Sequence, residues 1–259
     1  MARRRGSARR RRRGGSGFLY KLLSVLLICG CLVAAITLFF RVDTVVITGE
    51  KRYTEAEIRQ ASGVEDGDNL FLLNKYQVIR NIADALPYIE IENTHIQRKL
   101  PDTLLIQVQE CGDPLAWEQD GIVWLVSPAG KIVEQKTSTA GYPTIDGCRL
   151  LAPSVGTLIA LDTENDTRWQ SLLELLAALE EAGKLGEVNA IHLGDLSCIS
   201  MDYMDRFTVK LDYDADFAYE LQLLEMSIAS DKIQDNMTGT FDMRQREDGS
   251  IHFRQNVRG

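Results

Sequence analysis

Side chains able to do acid–base or nucleophilic chemistry are few in this chain, and they stand apart. Three histidines occur, His95, His192 and His252, each alone in a strand-like segment. A general base needs its partner within hydrogen-bond reach, and a lone strand histidine more often packs or faces solvent. Of five cysteines, Cys29 and Cys31 fall in an apolar run, while Cys111, Cys148 and Cys198 are widely spaced. None of the last three has a histidine neighbour in sequence to make its thiolate, and only Cys148, followed by Arg149, has a basic one. Their odd number and spacing are not a disulfide framework; one bridge at most can form, and three unpaired thiols fit equally well. No Ser-x-x-Lys, Gly-x-Ser-x-Gly, His-Glu-x-x-His or phosphate-cradling glycine loop is present. Asp162, Glu164 and Asp166 alternate as cation ligands do, but without the glycine and distal glutamate of a calcium loop they read as acids at a helix N-terminus. The expectation is no catalytic residue, no metal and no cofactor. A carboxylate pair assembled in three dimensions for glycan hydrolysis is the enzyme alternative.

The elements that carry these residues are sorted by charge. Residues 1–21 hold eight arginines and Lys21 and no acid, whereas residues 41–259 hold 20 basic residues against all 37 acids. Between them the uncharged run Leu22–Phe40 would span about 28 Å as a helix, close to the hydrocarbon thickness of a bilayer. A cleaved signal peptide has a shorter apolar core and a small-residue exit, but this run leaves through Leu38, Phe39, Phe40 and Arg41. Cys29 and Cys31 loosely mimic a lipidation box, yet the sequence after Cys31 stays apolar, so they read as small helix residues. The arginine arm, beside Gly14, Gly15 and Gly17, reads as a disordered cytoplasmic segment and a topology signal rather than a nucleic-acid site, because no aromatics interleave with it. The positive-inside rule then puts the N-terminus in the cytoplasm and the C-terminus outside.

Two units follow, at residues 42–111 and 112–256. The first begins with the β-branched run Val42–Thr48 ending at Gly49. Thr54 with Glu57 makes a capping box for a short helix stopping near Gly63. Asn74 can cap a second helix with the stripe Tyr76, Ile79, Ala83 and Leu86, ending at Pro87. Alternation at Thr94, Ile96, Arg98 and again at Leu104, Ile106, Val108 predicts two more strands, a β-α-α-β-β order.

That order and its wording resemble the POTRA domain of the FtsQ/DivIB family of bacterial cell-division proteins. The matching pieces are Val45-Val46-Ile47-Thr48-Gly49, Tyr53-Thr54-Glu55-Ala56-Glu57-Ile58, Asp68-Asn69-Leu70-Phe71, Leu86-Pro87-Tyr88-Ile89, and Arg98-Lys99-Leu100-Pro101-Asp102-Thr103-Leu104 running on to Val108 and Glu110. All five come in the family's order, directly after a basic arm and one membrane helix.

In the second unit, strands are predicted at Leu115–Gln119 and Ile122–Val126 around Asp120-Gly121, and at Ile132-Val133 after a Pro-Ala-Gly turn. This resembles the start of the family's β domain. A helix near 165–182 carries Trp169, Leu172, Leu173, Leu176 and Leu179, and another carries Phe217, Leu221, Leu224 and Ile228. Such stripes usually pack on the domain's own sheet. Strands are expected near 190–193, 198–203 and 207–211, and a closing hairpin near 239–254. The fold class expected is α+β: a single N-terminal transmembrane helix, a POTRA domain, and a mixed α/β β domain with a C-terminal edge hairpin.

The resemblance implies a non-catalytic, single-pass scaffold of the division machinery at the septum. Its implied partners are FtsL-like and DivIC/FtsB-like proteins and, through them, the septal peptidoglycan synthase complex; no nucleic acid or small-molecule substrate is expected. It also implies that the terminal hairpin receives the small DivIC/FtsB-type partner by strand addition, with Phe241, Met243, Gln245, Ile251 and Phe253 as the candidate partner-binding residues. Gln245 stands where some family members have tyrosine, and Phe253 where the family often has an aromatic. The alternatives from other classes are a membrane-anchored extracytoplasmic sensor and a cell-wall hydrolase.

Overall fold

The computed structural model describes residues 16–49, 51–161, 166–244 and 251–256. The arginines of the arm, Asp162, Glu164 and Gln245 lie outside the described residues, as does the side chain of Asp166. The first element is the 24-residue helix α1 (Ser16–Phe39), whose segment Phe18–Phe39 is long and apolar enough to cross a membrane and none of which is buried in the protein. The hydroxyls of Ser24 and Thr37 are satisfied within the helix, Ser24 donating to the Lys21 carbonyl and Thr37 to that of Val33. Such internal satisfaction is what a hydrocarbon surrounding requires.

A small three-stranded sheet follows. Strand β1 (Thr44–Thr48) pairs parallel with β3 (Thr103–Gln107), which pairs antiparallel with β2 (His95–Lys99). Helices α2 (Glu55–Ser62) and α3 (Lys75–Ala85) connect them. Thr54 closes the capping box: its hydroxyl accepts from Glu57 N at 3.3 Å, and its own N–H donates to the Glu57 carboxylate at 2.8 Å. Asn74 caps α3 through Tyr76 N and Gln77 N. The core is Ile47, Ile58, Leu70, Val78, Ile82, Ile96, Leu104 and Ile106. Of the expected stripe on α3, Ala83 is buried and Ile79 and Leu86 pack against the core beside Val78 and Ile82, whereas Tyr76 is 85% exposed. Tyr76 sits in the first turn of the helix, and the i, i+4 pair Val78–Ile82 is buried in the core.

Among the described residues, nine strands make the second sheet, in the order β12-β11-β10-β9-β8-β7-β4-β5-β6. They are β4 (Leu115–Gln119), β5 (Ile122–Val126), β6 (Ile132–Lys136), β7 (Thr144–Asp146), β8 (Val188–His192), β9 (Ile199–Tyr203), β10 (Phe207–Leu211), β11 (Gly239–Asp242) and β12 (His252–Gln255). Helices α4 (Asp166–Glu181) and α5 (Phe217–Ile228) cover one face. Leu172, Leu175, Leu176 and Leu179 of α4 and Phe217, Leu221 and Leu224 of α5 are buried there. The three-residue strand β7, unread in the sequence, joins the two halves of the sheet by pairing parallel with both β4 and β8.

At the β4–β6 end the opposite face meets the small domain. Tyr88 is buried with Ala116, Val123, Leu125 and Val133. Its hydroxyl donates to the Glu134 carboxylate at 2.7 Å, and the Arg52 guanidinium lies 4.0 Å from its ring centroid. Lys131 donates across to the Ala83 carbonyl at 2.9 Å, while within the small domain Glu110 accepts the backbone N–H groups of Lys51, Arg52 and Tyr53 at 2.9 to 3.3 Å. The two domains therefore share a packed, hydrogen-bonded junction.

Candidate partner-docking edge

Strand β11 holds the terminal hairpin by pairing parallel with β10 and antiparallel with β12, the last strand of the sheet. Alternation along both strands splits their side chains between two faces. On the inner face Phe207, Phe241 and Phe253 form an aromatic cluster, with ring centroids 4.7 Å apart for Phe241–Phe253 and 5.1 Å for Phe207–Phe241. Gly239 permits this closure, since a Cβ there would meet the Arg254 carbonyl and approach the Phe253 ring to 2.7 Å. On the outer face, Lys210, Thr240, Asp242, Arg244, His252 and Arg254 line a polar depression of about 550 Å³. Within it Arg244 grips Asp242 through two hydrogen bonds, at 2.9 and 2.7 Å.

This geometry divides the five candidate residues. Phe241 and Met243 are 1% and 5% exposed, so their side chains belong to the core and are unavailable to a partner. Ile251 and Phe253 are half-buried and pack against the same core. Phe253 thus anchors β12 to its own domain, while what faces outward from β12 is backbone. The Asn256 N–H donates to the Thr238 carbonyl at 2.9 Å, which fixes the alternation of the β11–β12 ladder. By that period of two, Arg254 and His252 direct their N–H groups at β11, and Phe253 and Gln255 direct theirs at the open edge.

The two ends of the sheet are finished differently. At β6 the backbone of Ile132 is used on its outer side by Thr157 and Gly156, and Ile159 N–H donates to the Gly130 carbonyl, each at 2.8 Å. At β12, among the described residues, no strand pairs along the outer edge. An unpaired edge is a row of donors and acceptors ready for another chain.

The groups singled out for chemistry are distributed over the molecule. His95 lies on β2, His252 on β12 and His192 on β8. His192 is held between two carboxylates, Nδ1 at 2.9 Å from Asp146 and Nε2 at 3.3 Å from Asp202. Burial by itself lowers its pKa, but the hydrogen bonds to Asp202 and Asp146 outweigh this and raise it. Burial, aided by the charges of Glu90 and Glu180, pushes the Cys111 thiol up to about 12. Burial also raises Cys148, although Arg168 stands 3.4 Å from its sulfur, and Cys198. All three thiols are free and protonated at neutral pH, so they are poor nucleophiles. A site the sequence did not suggest is the Asn69 amide, which reaches back to the end of α1.

Comparisons with known proteins agree with this architecture. A family model described as the POTRA domain, FtsQ-type, matches residues 40–110. The cell division protein DivIB of Clostridium botulinum (strain Hall) is 30% identical over 98 residues, covering 38% of this chain and 37% of that protein. DivIB of Clostridium tetani is 23% identical over 167 residues, 64% of this chain and 61% of the relative. FtsQ of Geotalea daltonii is 28% identical over 173 residues, 62% and 56% respectively. The chain thus spans between 37% and 61% of the length of these relatives.

Proposed function

Because the chain belongs to the FtsQ/DivIB family of cell-division proteins, we propose that it is a non-catalytic, single-pass scaffold of the divisome. Helix α1 confines it to the membrane. The nine basic residues flanking the apolar run on its N-terminal side, against only Arg41 adjoining its other end, favour a cytoplasmic N-terminus and an extracytoplasmic POTRA and β domain. Protease added to wall-stripped cells should then digest both domains, and their protection would overturn this topology.

The observation that carries the docking role is the open edge of β12. A short extended segment of a DivIC/FtsB-like protein adds there as a further strand, with main-chain hydrogen bonds giving the affinity. Phe253 and Ile251 hold the template flat against the core, and the polar face around Arg244 and Arg254 lies beside the incoming strand. An FtsL-like protein and the septal peptidoglycan synthase complex join through that partner. The test is a pull-down of a DivIC/FtsB-type protein by the full chain and by a chain truncated before Gly249. Equal capture by both would move the docking surface elsewhere, the edge of β2 being the next candidate. A fluorescent fusion should gather at the septum of dividing cells, and uniform membrane fluorescence would contradict the division role.

A further inference from the structure

The residue Asn69 ties the POTRA domain to the membrane helix. Its side-chain amide donates to the carbonyls of Ile36 and Thr37 at 3.1 and 3.3 Å. These are carbonyls of the last helical turn, where main-chain partners run out and capping is needed; that of Ile36 also accepts the Phe40 N–H at 3.3 Å. The main chain adds two further ties, Leu70 N–H to the Phe40 carbonyl at 3.0 Å and Val42 N–H to the Asp68 carbonyl at 2.7 Å. Because α1 ends at Phe39, Asn69 stands at the depth of residues still inside the apolar span.

The loop that follows is held rigidly with its apolar side chains outward. Asn69 Oδ1 accepts from Phe71 N and Leu72 N at 2.9 and 3.2 Å, and Arg98 donates to the Leu73 carbonyl at 2.7 Å. Yet Phe71 is 45% and Leu72 76% exposed. Phe71 meets Phe40 edge-on at 5.0 Å, and Phe40 meets Phe39 at 5.8 Å, so the helix end and the loop form one continuous aromatic surface. A fixed loop presenting a phenylalanine and a leucine to water is costly, and at the rim of a membrane span the medium beside it is lipid. Phenylalanine and leucine are among the residues that interfacial segments bury at the headgroup–acyl boundary.

We propose that Phe71 and Leu72 insert into the bilayer interface beside α1, so that the POTRA domain rests on the membrane at a fixed height and tilt. This rests on the reading of α1 as a membrane span. The lipid contact, together with the Asn69 cap, would make the helix and the domain one lever rather than two bodies on a swivel.

The test uses the full chain reconstituted in phosphatidylcholine vesicles, with Leu72→Trp as the reporter. The native tryptophans, Trp117, Trp124 and Trp169, all belong to the β domain and supply the background. In vesicles of phosphatidylcholine brominated near the head-group end of its acyl chains, the emission added at position 72 should fall by about half or more, as expected for an indole at interface depth. Phe71→Trp, which keeps an aromatic ring against Phe40, should behave alike and guards against a local defect in the first variant. Chain that floats with vesicles but shows no quenching at either position overturns the insertion and leaves the span reading intact. Chain that fails to float overturns the span reading and the insertion with it.

Discussion

Replacing Gln255 by proline is the sharpest perturbation of the β12 edge. Gln255 is exposed and its N–H points away from β11, so the substitution removes an outward donor while sparing the β11–β12 ladder and the Phe253 ring. Proline is tolerated on edge strands for this reason. If a partner strand adds here, it loses one main-chain hydrogen bond, a net effect of about 0.5–1.5 kcal/mol. Its own carbonyl is also left unsatisfied against the edge, which adds about 1–3 kcal/mol. Together these predict a Kd weakened by about 1.5–4.5 kcal/mol, or roughly 10- to 2,000-fold. Gln255→Ala keeps the N–H and should bind as the native chain does. Arg254→Pro deletes a donor to β11 and should loosen β12 itself, visible as faster amide exchange in β11. Titration calorimetry with a DivIC/FtsB-type protein measures the first two variants, and a thermal melt checks that Gln255→Pro remains folded. Equal affinities for Gln255→Pro and Gln255→Ala in folded protein would refute strand addition at this edge.

Leu104→Ala, at a fully buried position of the POTRA core, should cost about 2–5 kcal/mol in denaturant unfolding, and a loss below about 1 kcal/mol would contradict its place in that core. Gly49 has φ +93° and a Cβ there would collide with the Val108 carbonyl, so Gly49→Ala should destabilise the same domain by about 1–3 kcal/mol or more, read from the same unfolding curves. Tyr88→Phe keeps the ring in the domain junction but removes its bond to Glu134; urea unfolding should show a loss of about 0.5–1.5 kcal/mol, and no change would mean that the ring alone holds the junction. His192 has a raised folded pKa, so its stabilising contact with Asp202 and Asp146 is fully present below its ordinary value near 6.5 and fades as pH rises through the folded value. The stability gap between native chain and His192→Gln should therefore narrow as pH rises above about 6.5, and a gap that widens would reverse the assignment.

Much of this protein follows from local sequence. The apolar run between a basic arm and an acidic remainder specifies a membrane-length helix, because span length and charge asymmetry are both local properties. Thr54 with Glu57, and Asn74, start their helices as read, since a cap is satisfied within three residues. The stripe Phe217, Leu221, Leu224, Ile228 likewise names the inner face of α5, with Phe217, Leu221 and Leu224 buried and Ile228 packed against the same core. Tertiary structure decided what depends on distant partners. It added Val78 and Ile82 to the core face of α3 and left Tyr76 off it, because the sheet beneath that helix is assembled from strands far away in the chain. It made a strand of Thr144–Asp146, too short to show a period, by flanking it with β4 and β8. It buried Phe241 and Met243 by placing β11 between two neighbours, leaving the backbone of β12 as the open edge. And it brought Asn69 to Ile36 and Thr37, a contact over more than thirty residues that no local pattern announces, because a helix end accepts whichever donor the fold delivers to it.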